Sequence, residues 1–442
     1  MWGHYVALAL RSCKRSKALT VLVVALLAFG VSACMVSYAV FRATTSDPIP
    51  ARSSQLYVPQ IDNVGPTQTI DGQPPDKLSY TDAVALWQAH KAKRQTLVYS
   101  TKWGVESIDP AVPALVMTGD AVTADFFPMF DVPFRFGNGW TPDDDTRRAS
   151  VVVISRALND KLFGGRNSVG QGIRLDGKAF QVAGVLEDWN PKPRFFDVAT
   201  MASQSAFDNA GDVYIPFTRA TDMHKDIKFP DCHSDSGATD PHDWDAYLHG
   251  ECDRVGAWVE LPTAADVARY REYLRGYAQE QQHLGRFGWP PNIGLHDVMN
   301  WMDYMQVAPP APSLSLLVSA SFLLIVLVNV VGLMLARFMR RAPEIGIRRA
   351  LGASRAAVYR QFLVEGASIG LVGGLFGVCL TMLGIWSIGG LFEPTIARLV
   401  HLDASLIGMT VLLSIAATMI AALYPTWRAA QTEPAWQIKI NP

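Results

Sequence analysis

The apolar positions of this chain are gathered into four runs without a single charge. They are Ala18–Phe41, Ser313–Ala336, Gly366–Phe392 and Ala404–Pro425, of 24, 24, 27 and 22 residues. At about 1.5 Å per helical residue even the shortest exceeds the ~30 Å hydrocarbon core of a bilayer, so each predicts a transmembrane helix. Residues 42–312, between the first two runs, pattern instead like a soluble domain. Ser79–Arg94 reads as a helix with Thr81 or Asp82 near its start. Ser150–Ile154 is a β-branched run that predicts a buried strand, and Ser155 follows as N-cap of a helix over Arg156–Phe163 that stops at Gly164-Gly165. Two strand patterns, Ile173–Leu175 and Lys178–Leu186, flank the hairpin signal Asp176-Gly177. Arg254–Leu261 reads as a strand, and Thr263-x-x-Asp266 opens a helix to about Leu284 in the manner of a capping box. The stretch Thr44–Pro75, rich in Pro, Ser, Asp and Gln, reads as a linker with short extended pieces. The fold class that results is a membrane protein of four transmembrane α-helices carrying a large α+β domain.

Composition changes this picture little, but charge orients it. The chain is 49% hydrophobic and 18% charged with a formal net charge of −1, which excludes a nucleic-acid binder, a disordered chain and a disulfide-dense mini-protein. Divided at the spans, residues 1–17, 337–365 and 426–442 together carry +10, and residues 42–312 with the loop 393–403 carry −11. The positive-inside rule puts both termini and the 337–365 loop in the cytoplasm and the long domain outside it. Val31-Ser32-Ala33-Cys34 resembles a lipoprotein cleavage box, but apolar sequence continues to Phe41, so the first run is read as an uncleaved anchor.

Of the five cysteines, Cys232 and Cys252 alone lie in the external domain, with 19 residues between them; Cys13, Cys34 and Cys379 are read as inert. An even pair outside the cytoplasm is most simply a disulfide. A metal site is the other reading, because Asp231, His233, His242, Asp243 and His249 crowd the same loop, although no Cys-x-x-Cys spacing supports structural zinc. Trp140, Trp189, Trp244, Trp258, Trp289 and Trp301 are read as core and interface rather than as a ligand cleft.

In the basic loop, Pro343 and Glu344 suit a helix start. Ile345, Ala350 and Leu351 share a face flanked by Arg348 and Arg349, and Gly352 is a stop. A short amphipathic helix follows from this pattern, and so does a basic segment contacting anionic lipid. In the third run, Gly366-x-x-x-Gly370-x-x-x-Gly374 and Gly373-x-x-x-Gly377 allow close helix packing, within the chain or across a dimer; Asn329, the amide of the second run, suits an interhelical hydrogen bond. No Gly-x-x-x-x-Gly-Lys-[Ser/Thr] string occurs, so ATP would have to be bound elsewhere than on these residues. Neither hydrolase motif, Gly-x-Ser-x-Gly or His-Glu-x-x-His, is present.

Two sets of residues resemble a known family. Asp125–Pro133, Thr141–Asp144, Val151–Ser155, Leu162–Gly165, Val169-Gly170 and Val182–Val185, in this order, resemble the periplasmic core of MacB-like ABC-transporter permeases. Glu344-Ile345-Gly346-Ile347-Arg348-Arg349-Ala350-Leu351-Gly352-Ala353-Ser354, its continuation Val358–Glu365, and Tyr424–Ala430 followed by Glu433-Pro434-Ala435 resemble the coupling segment and closing span of FtsX-like permeases. The resemblance implies a periplasmic domain of paired βαβ-type units interrupted by a second subdomain, placed at about 187–250. It also implies that residues 343–354 form a coupling helix docking on a separate ATP-binding subunit, with Ile345 and Leu351 as apolar knobs and Glu344, Arg348 and Arg349 as polar contacts. The implied protein is a non-enzymatic subunit of a bacterial inner-membrane complex. Its partners would be an ABC ATP-binding subunit, a second permease chain, a periplasmic adaptor and an outer-membrane channel. Only 17 residues precede the first span, so no ATPase domain is expected in front of it. Export is the first implied role, and activation of a periplasmic enzyme or sensor is the alternative.

Overall fold

The computed structural model describes residues 17–67, 69, 71–107, 113–201, 205–225, 243–340, 347, 354–388 and 399–431. The chain divides into two compact units, Met1–Thr45 with Pro309–Pro442, and Ser46–Ala308. In chain order the elements are α1 (Lys17–Thr45), β1 (Leu56–Ile61), β2 (Leu78–Ser79), α2 (Tyr80–Gln88), β3 (Arg94–Ser107), β4 (Leu115–Val122), α3 (Phe126–Met129), β5 (Phe134–Gly137), α4 (Pro142–Thr146), β6 (Val151–Ile154), α5 (Arg156–Phe163), β7 (Gly172–Leu175), β8 (Lys178–Leu186), β9 (Val213–Pro216), α6 (Phe217–Asp222), α7 (Trp244–His249), β10 (Asp253–Glu260), α8 (Ala264–His283), β11 (Ile293–Asp297), α9 (Val298–Tyr304), α10 (Pro310–Met339), α11 (Arg355–Ile388) and α12 (Ala404–Gln431).

The second unit is built on one sheet of order β11-β1-β10-β3-β4-β9-β6-β8-β5. Among the described residues only β4–β9 and β6–β8 run parallel. The 14-residue β3 organises it: Arg94–Val98 pairs with β10, Val98–Val105 with β4, and Val105–Ser107 with β7. Because β7 pairs in turn with β8, strands β3-β4-β9-β6-β8-β7 close into a six-stranded ring. Alternation then sends successive residues to different cores. Leu97, Tyr99, Val152, Ile154, Val213 and Ile215 enter one cluster; Val98, Val153 and Tyr214 enter the other, with Phe126, Phe130, Phe195, Phe196 and Trp258. A strand apolar on both faces, such as β6, is what two cores require.

The local signals act where expected. The Ser155 side chain accepts from the Leu158 N–H, and α5 ends at Gly164 with φ +63°. Asp176 and Gly177 both take positive φ, +47° and +78°, as a primed hairpin turn needs. Thr263 and Asp266 make both bonds of the capping box ahead of α8. Three expectations need correction. The first helix of the domain stops at Gln88 rather than Arg94, because His90 turns to φ +49° and β3 begins four residues later; its N-cap is Ser79. The Thr44–Pro75 linker contains the interior strand β1; β10 pairs with it only through Leu56 and Tyr57, so Pro59 lies beyond the doubly paired stretch. The interruption expected at 187–250 is not a separate body among the described residues. β9, from the middle of that span, is an interior strand between β4 and β6, and the interposed half of the sheet runs from β4 to α6.

In the first unit, α1, α10, α11 and α12 are long and apolar enough to cross a membrane. Their exposed Leu317, Val318, Leu324, Val328, Leu375 and Leu412 lie where a bilayer would cover them. α10 and α11 each pack on α1 and on α12. α11 begins at Arg355, eleven residues before the expected span start at Gly366. Ser354 caps it, its hydroxyl accepting from the Ala357 N–H at 3.2 Å.

Candidate functional site

The site picked out by the sequence is the connection between α10 and α11. Pro343, Glu344, Ile345, Gly346, Arg348, Arg349, Ala350, Leu351, Gly352 and Ala353 lie outside the described residues; Ile347 is helical and exposed. Ser354 belongs to the start of α11 rather than to the loop helix. What the structure shows in detail is how the two flanking helices are held. The glycines of α11 receive their neighbours directly. A Cβ at Gly370 would come within 2.8 Å of the Ile415 Cα, and one at Gly374 within 3.0 Å of the Val411 Cα, so α12 can lie this close only against glycine. Ser414 Oγ donates to the Gly370 carbonyl at 2.8 Å. Gly366 faces Ala422, Gly373 faces Ser414 and Leu27, and Gly377 faces Thr410 and Ala28, all in α12 or α1 of the same chain. Asn329 bonds locally within this chain. It is exposed, and its Nδ2 donates to the Ile325 carbonyl at 3.0 Å within α10, in the preceding turn of the same helix.

Two residues counted among the charges of the 337–365 loop lie buried together where α10 and α11 approach that loop. Arg337 Nη2 and Glu365 Oε1 are 2.7 Å apart, with their side chains 2% and 1% exposed. Beside them the rings of Phe338 and Phe362 pack with centroids 4.2 Å apart. A signal for the pair was available: each is the first charge beyond an apolar run, Arg337 after Ala336 and Glu365 before Gly366, and their signs are opposite. At the other end of the bundle Arg42 of α1 reaches Asp403, the residue before α12, at 2.7 Å, but both side chains are nearly half exposed.

In the sheet unit the polar groups are tied locally. Arg286 makes paired contacts with Asp82, at 2.5 and 2.8 Å, and with Glu251, at 2.6 and 2.8 Å, joining the start of α2, the end of α8 and the approach to β10. Asp145 accepts from the Ala124 N–H at 2.7 Å and from Trp140 Nε1 at 2.9 Å, yet burial pushes its carboxyl up to about 7. Trp258 Nε1 donates to the Phe196 carbonyl and Trp289 Nε1 to that of Asp62. Trp140, Trp258 and Trp301 are buried, while Trp189, Trp244 and Trp289 pack at the edges of the cores. Trp103, which the sequence did not single out, is also fully buried. Cys252 is buried just before β10, and Cys232 lies outside the described residues with Asp231, His233 and His242. Asp243 caps α7 and His249 packs edge-on against Tyr80; among the described residues no three His, Cys, Asp or Glu gather as a metal would need.

Four apolar helices with a large α+β domain between the first and second define a multi-pass membrane protein. The model of the MacB-like periplasmic core domain matches residues 20–277, and that of the FtsX-like permease C-terminal matches residues 316–434. The chain belongs to the family of permeases that combine these two parts. Among curated relatives, the pyoverdine export ATP-binding/permease protein PvdT of Pseudomonas putida is 29% identical over 266 residues, covering 58% of this chain and 34% of that protein. The macrolide export ATP-binding/permease protein MacB of Syntrophobacter fumaroxidans is 23% identical over 368 residues, 78% of this chain and 48% of that one. The chain thus spans about a third of the first relative and about half of the second. Of solved structures, the periplasmic region of MacB from Actinobacillus actinomycetemcomitans aligns with TM-score 0.37 and 11% identity over 59% of this chain and 97% of its own. The extracellular domain of YknZ aligns with TM-score 0.35 and 12% identity, over 55% and 100%.

Proposed function

We propose that the chain is the permease subunit of an ABC export complex in a bacterial inner membrane, with both termini and the α10–α11 loop cytoplasmic. ATP hydrolysis on a separate ATP-binding subunit would move the loop helix over residues 343–354, and through α10 and α11 the periplasmic sheet unit. The observation that carries this reading is the match of residues 316–434 to the FtsX-like permease model, because it encloses the whole loop, all of α11 and α10 from residue 316 onward. Export is favoured over signalling by the relatives, which are described as exporters of pyoverdine and of macrolides. A second permease chain, a periplasmic adaptor and an outer-membrane channel complete the proposed complex. Its cargo is handled on the periplasmic side, and a Cys232–Cys252 disulfide braces that domain. Glu344→Lys combined with Leu351→Asp should abolish copurification of the ATP-binding subunit while leaving the tryptophan spectrum of the sheet unit unchanged. Copurification at the wild-type level would overturn the coupling role.

A further inference from the structure

The helices on either side of the loop pack mainly on other members of the bundle. α10 and α11 pack on α1 and α12, and among the described residues they share no extended backbone contact with each other. They are bridged at one end, next to the loop, by the Arg337–Glu365 ion pair and the Phe338–Phe362 rings. This end is walled by Met334, Val358 and Ala422, all buried. An ion pair is an unusual choice for such a place. Taking two charges out of water costs about as much as their attraction returns, and apolar residues of similar size hold helices equally well. Apolar contacts, however, slide with little change in energy, whereas a charge-assisted hydrogen bond has one preferred distance and direction. Ionisable residues buried between spanning helices are rare enough to ask for a role.

We propose that Arg337 and Glu365 are a positioning pair, a latch across the bundle that makes the loop ends of α10 and α11 move as one lever. Resting on the coupling reading above, the latch explains how a push on one short loop reaches two helices whose backbones share no extended contact among the described residues. Arg42–Asp403 does not serve this purpose, since it is exposed, lies at the opposite end and joins α1 to α12.

The test measures the spacing of the two helices directly. Nitroxide labels at Met339→Cys and Arg360→Cys, both exposed positions, are placed in a background lacking Cys13, Cys34 and Cys379, and the full chain is reconstituted in lipid nanodiscs. Pulsed electron-spin resonance should give one narrow distance distribution for the parent. Arg337→Met with Glu365→Leu, which keeps volume and removes charge, should at least double its width. The exchange Arg337→Glu with Glu365→Arg should return it to within a fifth of the parent, and Arg42→Ala should leave it unaltered. An apolar pair as narrow as the parent would overturn the latch, as would an exchange as broad as the apolar pair. Should the exchange fail to fold, the apolar pair decides by itself. Copurification of the ATP-binding subunit is scored on the same samples. Its absence from parent and variants alike would remove the coupling reading and leave the width comparison standing.

Discussion

The two units of this chain solve the same problem, holding elements together, by opposite use of side chains. In the sheet unit contact is made by large residues: Val152 and Ile154 enter one core, Val153 the other, and Phe126, Phe130, Phe196 and Trp258 interlock edge to face. In the helical unit contact is made where side chains are missing, at Gly370 and Gly374. Water rewards burial of apolar area, so the sheet unit gains from bulk. A bilayer offers no such reward, since lipid tails are as apolar as leucine, and helices gain from close approach and from a few polar ties. Arginine shows the difference most clearly. Arg286 ties three segments of one compact unit, whereas Arg337 ties two helices beside the Phe338–Phe362 contact.

That contrast can be broken in the sheet unit. The largest effect is expected for Arg286→Ala, which takes from the buried Asp82 its Arg286 partner and should cost about 3–5 kcal/mol. The measurement is the urea midpoint of the full chain in detergent, followed by tryptophan fluorescence. A loss below about 1 kcal/mol would mean that the aromatic cores, not this tie, hold α2 to α8. Next comes the proposed Cys232–Cys252 bridge. Its intact mass without reductant should lie two hydrogens below the reduced form, and Cys252→Ser should cost about 3 kcal/mol in the chain-entropy description. Equal masses would remove the bridge. The smallest effect concerns Asp145. Its folded pKa, about 7, stands above the ordinary 3.8, so the fold favours the protonated acid. The stability it contributes is complete below about pH 4 and is lost as pH rises toward 7, by about 2 kcal/mol between pH 5 and 7. Asp145→Asn, neutral throughout, should flatten that slope, and an unchanged slope would assign it to other groups.

Features set within a few residues of one another could be read before any coordinates. Ser155 with Leu158, Thr263 with Asp266 and the turn at Asp176-Gly177 each depend on a backbone that their own neighbours dictate. The apolar runs were equally plain, because spanning a bilayer is a matter of length and charge. Distance in sequence hid the rest. β1 was obscured by Pro59 and Gln60, residues that disfavour a strand until β10 and β11 are known to flank it. Nothing near Val213–Pro216 announces that β9 will sit between β4 and β6, nor does β3 announce that its far end will meet β7.

The candidate site divides along the same line. The loop string 343–354 carried its family likeness in its residue order, and the glycines of α11 carried their spacing. Whether those glycines met another span of the same chain was settled only by folding, which put Ile415 and Val411 against them. The bundle also separated two outwardly similar ion pairs, one half exposed at Arg42–Asp403 and one sealed at Arg337–Glu365. Charge, length and periodicity are properties of a chain segment, so the order of residues is enough to set class, span number and local caps. Burial and partnership belong to pairs of segments, here 28 residues apart in the case of Arg337 and Glu365, and they exist only once the helices have been brought together.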